Sequence, residues 1–522
     1  MSHPEAEPPT PNNLHVNHET GTGLGLCHHN QRRHINSFPP EVLHGVFLPV
    51  TPYYHGHYIR LLRLRLVCKY WIEVIDSTPE LWTSISDRLR PELQAMIIQK
   101  SRHHLLDVVY GEGVLGRDPE WVQKIRAFES LMEPETSRWQ ALEYYRIDQK
   151  MDDWILPRPL HSLQRMQICM SSPDDECPAL DAPRLSHVVA NTCTFNRISL
   201  SGLHVLILHA TNLSLNRLMV ILRASPGLRE LSLQKAALTV EDEGFLNSFT
   251  NKIPLPQLRA LHVDRAYVQS TSFLLDWIEA PGLETFKVVF QCAGDATDHT
   301  DLSESVGHHI GAYPLPKEQK QAQVSIEVLD WEMRISIGED KIAIWWLYLN
   351  KEDRPQIKLS CISSAINRMD SRVCEEVKAL NLACWDSQEA SEYLRIAHSR
   401  FPQIDHVSLR VGGGDVSEVG AVLRYLGSPS DLGLSEGWLL PKLTKLELDL
   451  RHSTETDLAE RIMEIIEQRK AVEQTKDIIE LRVTTAAGTM DLSTVELLRE
   501  SVMIFDLIEI QETQIELVVD VA

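Results

Sequence analysis

From residue 138 onward one hydrophobic pattern keeps returning: an apolar residue, two variable positions, an apolar residue, one variable position, an apolar residue. It reads "WQALEY" (139–144), "LQRMQI" (163–168), "LSHVVA" (185–190), "LHVLIL" (203–208), "LRELSL" (228–233), "LRALHV" (258–263) and "LETFKV" (283–288). It resumes as "VKALNL" (377–382), "IDHVSL" (404–409), "LTKLEL" (443–448) and "IIELRV" (478–483). The last two apolar positions sit two apart, the spacing of residues that share one face of a strand. Helical patterns fall between the copies. In "SLNRLMVILRASPG" (214–227), Leu215, Leu218, Ile221 and Leu222 share one side, and Pro226-Gly227 stops the helix. "EASEYLRIAHSRFP" (389–402) and "ETDLAERIMEIIEQRK" (455–470) follow the same logic. A strand, loop and helix repeated in this way predict an α/β chain with a mostly parallel sheet. Each unit is too thin to hold its own core, so neighbours must stack as a solenoid over 138–522. Copies lie 18 to 39 residues apart outside one larger gap. Within that gap, at about 289–372, "AQVSIEVLDWEMRISIGEDKIAIWWLYL" (322–349) alternates like paired antiparallel strands and reads as an irregular insertion.

The first part of the chain has a different pattern. Residues 1–34 are rich in Pro, Asn, Gly and His with few large apolar groups, which predicts a disordered tail. "SFPPEVLHGVF" then carries helix-start signals, and Val42, Leu43, Val46 and Phe47 recur at helical spacing. "LPVTPYYHGHYIR" reads as a loop. Leu66, Val67, Tyr70, Trp71, Val74 and Ile75 form a broad apolar stripe. "STPELW" restarts a short helix, with Thr78 as cap, Pro79 in the first turn and Glu80 at the positive end of the helix dipole. Residues 35–86 are therefore a unit of short helices, and 87–137 is expected to be a helical linker. So small a unit rarely buries faces this large alone. Either the rest of the chain or a partner must cover them.

Composition narrows the functional classes. Acidic residues outnumber basic ones 73 to 51, a formal net charge of −22. This argues against nucleic acid or an anionic membrane as the main partner, since both are held by clustered Lys and Arg. The densest basic run, "RLLRLR" (60–65), alternates with leucine as the wet face of a helix does. Nine scattered cysteines with no CxxC pair argue against a disulfide framework or a zinc site. No signal peptide is read at the N-terminus, and the longest apolar run, "IAIWWLYL" (342–349), is too short to span a bilayer. A cytoplasmic or nuclear protein is expected.

Candidate chemistry is sparse. Cys68 beside Lys69 lacks the positioned base that a nucleophile needs. "GTGLGL" (21–26) follows no strand, and "VGGGD" (411–415) lacks the Lys-Ser/Thr of a phosphate loop. The six histidines of the tail form no ligand set, and Trp345-Trp346 reads as core. No catalytic residue, metal site or cofactor is expected.

The order "FPPEVLHGVF … LRLVCKYWIEVIDSTPELW" resembles an F-box. Pro39, Glu41, Val42, Leu43, Val46 and Phe47 match the first half of that family's pattern, with Phe38 where leucine is usual. Val67, Cys68, Lys69 and Trp71 match the second half, and Leu81-Trp82 closes it. A long connection from Leu48 to Arg60 departs from the pattern. "STPELWTSIS" and "ASPGLRELSL" resemble fungal F-box proteins with leucine-rich-repeat-like tails, although the asparagine ladder of standard leucine-rich repeats is missing here. The resemblance implies that the F-box binds the adaptor subunit of a cullin–RING (SCF-type) ubiquitin ligase through Pro39, Val42, Leu43, Val46, Phe47, Leu66, Val67, Cys68, Trp71 and Trp82. It further implies that the repeats hold an unknown target protein, at variable positions such as His204, Arg229, Arg259 and His262, for ubiquitination by another subunit. The alternative is a non-degradative interaction scaffold.

Overall fold

The computed structural model describes residues 38–47, 56–111, 119–145, 159–170, 181–193, 200–239, 252–264, 268–292, 296–311, 322–328, 332–337, 341–347, 354–384, 387–411, 418–427, 439–451, 458–472, 475–486, 490 and 492–510. The predicted tail at 1–34 lies outside them, as do "GTGLGL", the tail histidines and positions 412–415.

Among the described residues, three helices come first: α1 (Pro40–Phe47), α2 (Gly56–Arg65) and α3 (Lys69–Ser77). The stretch read as a loop through Arg60 is therefore helical from Gly56. Its polar start, Gly-His-Tyr, hides the helix from a hydrophobic pattern. The stripe from Leu66 to Ile75 is also not one helix. Leu66 and Val67 form the turn between α2 and α3, and Cys68 caps α3 in an extended conformation. A 3-10 turn follows at Pro79–Trp82. Thr78 precedes it, but its hydroxyl donates to the Val74 carbonyl at 2.7 Å, closing α3 rather than capping the turn.

Strands β1 (Ser84–Ser86), β2 (Leu106–Tyr110), β3 (Trp139–Tyr145), β4 (Arg165–Cys169), β5 (His187–Asn191) and β6 (Val205–His209) then pair in parallel, each with the next. They belong to an open seventeen-stranded sheet that runs on through 230–234, 260–264 and 285–292, all parallel. The expectation of a helical linker at 87–137 is corrected: this stretch has helices at Pro91–Ser101 and Pro119–Met132, but β2 between them belongs to the sheet. The sheet thus begins at Ser84, not 138. β1 is too short to show alternation, and Val109 in β2 is buried alongside Val108 and Tyr110, which erases the period of two.

The irregular stretch is three strands in reversed order. Lys341–Leu347 pairs in parallel with Thr285–Cys292 and antiparallel with Glu332–Ile337. Glu332–Ile337 pairs antiparallel with Ala322–Val328, which returns to parallel pairing with Val377–Cys384. The antiparallel reading of 322–349 agrees with this, and the sheet continues unbroken through 406–411, 445–449, 480–486 and 504–510. Helices Ala296–Gly311 and Arg354–Arg368 cover this part so closely that a Cβ at Gly307 would run into the Ala365 carbonyl.

Backbone hydrogen bonds explain the recurring pattern. The second position of each copy donates its N–H to the carbonyl of the second position in the copy before. Gln164 donates to Gln140, Ser186 to Gln164, His204 to Ser186, Arg229 to His204, Arg259 to Arg229 and Glu284 to Arg259. The same ladder resumes from Lys378 through Asp405, Thr444 and Ile479 to Ile504. The flanking apolar positions, such as Leu163, Met166 and Ile168, are buried. Leu215, Leu218, Ile221 and Leu222 are buried as the helical spacing predicts, and Ser214 caps their helix by accepting from the Arg217 N–H. One buried cation has no sequence signal. Arg469, fully buried in helix Leu458–Lys470, donates to the carbonyls of Leu426, Leu439 and Leu440 at 3.2, 3.2 and 2.8 Å. Burial lowers its pKa to about 10, so it stays charged at neutral pH.

The exits of successive strands repeat a strained conformation. Thr192, Ala210 and Lys235 have φ of 53°, 49° and 52°, and each N–H donates to the carbonyl ending the next strand, His209, Gln234 and Asp264. A β-branched residue is the worst of these three in the left-handed region. Replacing Thr192 with Asn, which tolerates that region, is expected to raise stability by about 1 kcal/mol. Urea unfolding would read it as a higher midpoint; a midpoint at or below wild type would contradict the strain assignment.

Candidate functional site

The helical unit sorts its apolar side chains by position. In α1, Leu43 and Phe47 are one turn apart and buried, while Val42 and Val46, rotated about 100° from them, are each 45% exposed. Phe47 meets Trp71 of α3 edge-on, with ring centroids 5.0 Å apart. Trp71, Val74 and Ile75 are buried with them. The Tyr70 hydroxyl donates to the Phe38 carbonyl at 2.8 Å and fastens the entry to α1 against α3.

Trp82 is the joint between this unit and the sheet. It is fully buried, and its indole N–H donates to the Ile75 carbonyl at 2.9 Å. Tyr58 stacks on it at 6.3 Å, and the Arg65 guanidinium lies 5.8 Å from the ring centroid. Arg65 also pairs with Asp76 at 3.0 Å, and Asp76 with Lys100 of helix Pro91–Ser101, again at 3.0 Å. Across the same boundary Glu80 meets His104 at 3.1 Å. The helical unit is thus packed against the sheet's first strand and helix without a spacer.

Among the ten residues expected to face an adaptor, Leu43, Phe47, Trp71 and Trp82 are corrected: they are interior and hold the helices together. Residues of their size, recurring every third or fourth position, first satisfy their own chain. Cys68 is half-buried at the start of α3. Pro39, Val42, Val46, Leu66 and Val67 are exposed, Leu66 to 84%. Phe38 and Ile59 are exposed as well and were missed. Phe38 stands where the pattern has leucine, and Ile59 sits in the stretch read as loop. Six of the thirteen exposed large hydrophobics among the described residues therefore lie between 38 and 67. Scattered exposed apolar residues are ordinary; a concentration on one small helical unit is the mark of a surface that a partner covers.

A comparison with known families shows what this unit is similar to. Residues 35–88 match the F-box-like family. The match spans α1 to α3, the 3-10 turn and β1, and stops within the sheet's first connection. No curated protein matches the chain. The F-box-like domain thus accounts for the helical unit and for its closing Leu81-Trp82, while the sheet stands outside the match.

On the sheet, Arg229 and Arg259 are exposed in the turns that enter their strands, and His204 is half-buried in the corresponding turn. His262 lies within its strand on the face opposite the core, between Ser232 and Lys287. His204, Arg229 and Arg259 occupy the same ladder step in successive turns, and His262 lies in the strand that Arg259 enters. Trp345 and Trp346 lie in strand Lys341–Leu347, with their side chains outside the described residues. Among the described residues, no helix is long and apolar enough to cross a membrane.

Proposed function

We propose that this chain is the target-binding subunit of an SCF-type cullin–RING ubiquitin ligase. Its F-box docks the adaptor, and its sheet, read as an irregular leucine-rich-repeat-like solenoid, holds the protein to be modified. The observation that carries this reading is the F-box-like match over 35–88 on a unit whose Val42, Val46, Leu66 and Val67 remain exposed. In this reading the chain contributes no catalytic group. It raises the effective concentration of target lysines near the conjugating enzyme, and that alone multiplies the rate of transfer. The close joint at Trp82 supports the reading, because a target held on the sheet keeps a defined position relative to the adaptor.

The test is coexpression with the adaptor subunit, followed by copurification. The variant is Val46→Asp/Leu66→Asp, since both side chains are exposed in the free chain and their loss leaves the core intact. Wild type is expected to copurify. The double variant should lose at least about 100-fold in affinity, as two buried charges replace two apolar anchors, with an unchanged circular dichroism spectrum. Copurification of the double variant at the wild-type level would reject the docking surface. Ubiquitin transfer to a bound protein then separates a ligase receptor from a scaffold: binding without any transfer would favour the scaffold.

A further inference from the structure

The exposed apolar residues of the helical unit come from two places in the chain. Phe38, Pro39, Val42 and Val46 belong to the entry and to α1, while Ile59, Leu66 and Val67 belong to α2 and the turn after it. A hydrogen bond spans the two. Tyr70 stands in the first turn of α3, just after the Leu66–Val67 turn, and its hydroxyl donates to the Phe38 carbonyl at 2.8 Å, 32 residues back.

The first turn of α1 leaves that carbonyl to Tyr70. In a regular helix it would accept from the Val42 N–H, four residues on. That N–H donates instead to the Pro39 carbonyl at 3.0 Å, as does the Leu43 N–H at 3.2 Å. The segment Phe38-Pro39-Pro40 is also stiff. The two proline rings fix φ near about −65°. A residue before proline is held to extended backbone, which covers both Phe38 and Pro39. A stiff segment needs little more than one outside contact to set its direction, and the Tyr70 hydroxyl supplies it. The ring of Tyr70 is half-buried and packs on the core beside Trp71. The F-box pattern matched by Val67, Cys68, Lys69 and Trp71 leaves position 70 open, so the hydroxyl is a feature of this chain.

We propose that Tyr70 is a positioning residue for adaptor binding, which holds Phe38 as a preset apolar anchor. The inference rests on the reading of this surface as the adaptor's seat. Phe38 is 39% exposed and continues, in sequence, the four-residue spacing of Val42 and Val46. It stands where the family pattern has leucine, and an aromatic ring there covers more area but must be aimed. A side chain whose main chain is already fixed loses less freedom when a partner closes over it, so more of its apolar contact appears as affinity. The bond itself is exposed in the free chain, where water competes for both of its ends. A partner that covers Phe38 excludes this water and strengthens the bond.

Biolayer interferometry of the full-length chain against purified adaptor tests this with Tyr70→Phe, Phe38→Ala and the double variant. Tyr70→Phe keeps the ring and removes only the hydroxyl. It should weaken binding about 5-fold, and Phe38→Ala about 10-fold. The double variant should stay within about 2-fold of Phe38→Ala, because the hydroxyl acts through Phe38. A hydroxyl that served only the stability of the helices would instead multiply its loss onto that of Phe38→Ala. Hydrogen exchange read by mass spectrometry follows the clamp without a partner: in the free chain, Tyr70→Phe should speed exchange in peptides covering α1 and leave those of β3 unchanged. Wild type that fails to bind the adaptor overturns the receptor reading and this inference together. Wild type that binds overturns the inference alone if Tyr70→Phe binds equally well, if the double variant is about 5-fold weaker than Phe38→Ala, or if exchange in α1 does not change.

Discussion

Replacing Trp82 with Ala is expected to melt the F-box-like helices while the sheet stays folded. The indole is fully buried and its N–H donates to the Ile75 carbonyl at the end of α3, the carbonyl that also accepts from the Thr78 N–H. Truncating a buried tryptophan to alanine costs about 3–5 kcal/mol through lost transfer energy and the cavity that remains. Loss of the hydrogen bond adds about 1 kcal/mol. Tyr58 and Arg65 lose the ring they pack on, so the total is about 5 kcal/mol, as large as the whole stability of many small domains. Leu43, Phe47, Trp71, Val74 and Ile75 are buried in the same unit and cannot replace the loss. The ladder-flanking leucines further along the sheet, such as Leu203 and Leu228, are buried away from the indole, so the sheet is expected to stay folded. Differential scanning calorimetry should show an early transition split from the main one, and adaptor copurification should fail. Trp82→Phe keeps most of the apolar volume and should lose about 1–2 kcal/mol. A single transition at the wild-type temperature for Trp82→Ala would refute the role of Trp82 as the joint.

The same residue marks the limit of what sequence pattern reveals. Leu81-Trp82 was legible as the end of an F-box, but whether Trp82 faces a partner or its own chain depends on Ile75, seven residues away, and on Tyr58. Neither relation has a period. By contrast, the strands from 139 to 486 were legible because parallel strands stacked in one register must place equivalent residues at equivalent depths. Leu163, Leu185, Leu203 and Leu228 all occupy the same step before their strands and are all buried. β1 and β2 escaped notice since one is three residues long and the other is buried on both faces. The exposed side chains of the docking surface were half legible. Val42 and Val46 match a family pattern, yet only the rotation of α1 separates them from Leu43 and Phe47.

Side-chain packing ties the helical unit to the sheet. Arg65, Asp76 and Lys100 tie α2, α3 and the first sheet helix into one network, and Trp82 fills the space beneath it. A flexible spacer would let a bound target sample many positions, and its effective concentration at the ligase would fall with spacer length. A packed joint fixes one position. In the receptor proposed above, selectivity among target lysines then becomes a matter of geometry as well as affinity.

Acidification from pH 7 to pH 4 is expected to destabilise the chain, with His309 the largest single source. His309 is buried in helix Ala296–Gly311, its Nε2 lies 2.6 Å from the Leu275 carbonyl, and its ring stacks on Phe286 at 5.7 Å. Burial lowers its pKa from 6.5 to about 4, outweighing the opposing pull of that carbonyl. The sign follows from proton counting. Between pH 6.5 and 4 the unfolded chain holds a proton on this ring that the folded chain refuses, so stability falls as pH falls through this window. The loss from His309 alone is about 2 kcal/mol by pH 5 and about 3 kcal/mol by pH 4. His187, His262, His398 and His406 have pKa values lowered by burial and act in the same direction. Asp107 and Glu129, whose carboxyl pKa values burial raises, oppose them. The five histidines outnumber these two carboxyls, so the net slope between pH 6.5 and 5 is expected to follow the histidines. Urea unfolding at pH 7, 6 and 5 should show a steadily falling midpoint. His309→Gln keeps a hydrogen-bond donor without the titrating ring, so its midpoint should fall less steeply whatever its stability at pH 7. A wild-type midpoint that holds steady from pH 7 to 5, or a His309→Gln slope equal to wild type, would show that this histidine does not carry the acid sensitivity.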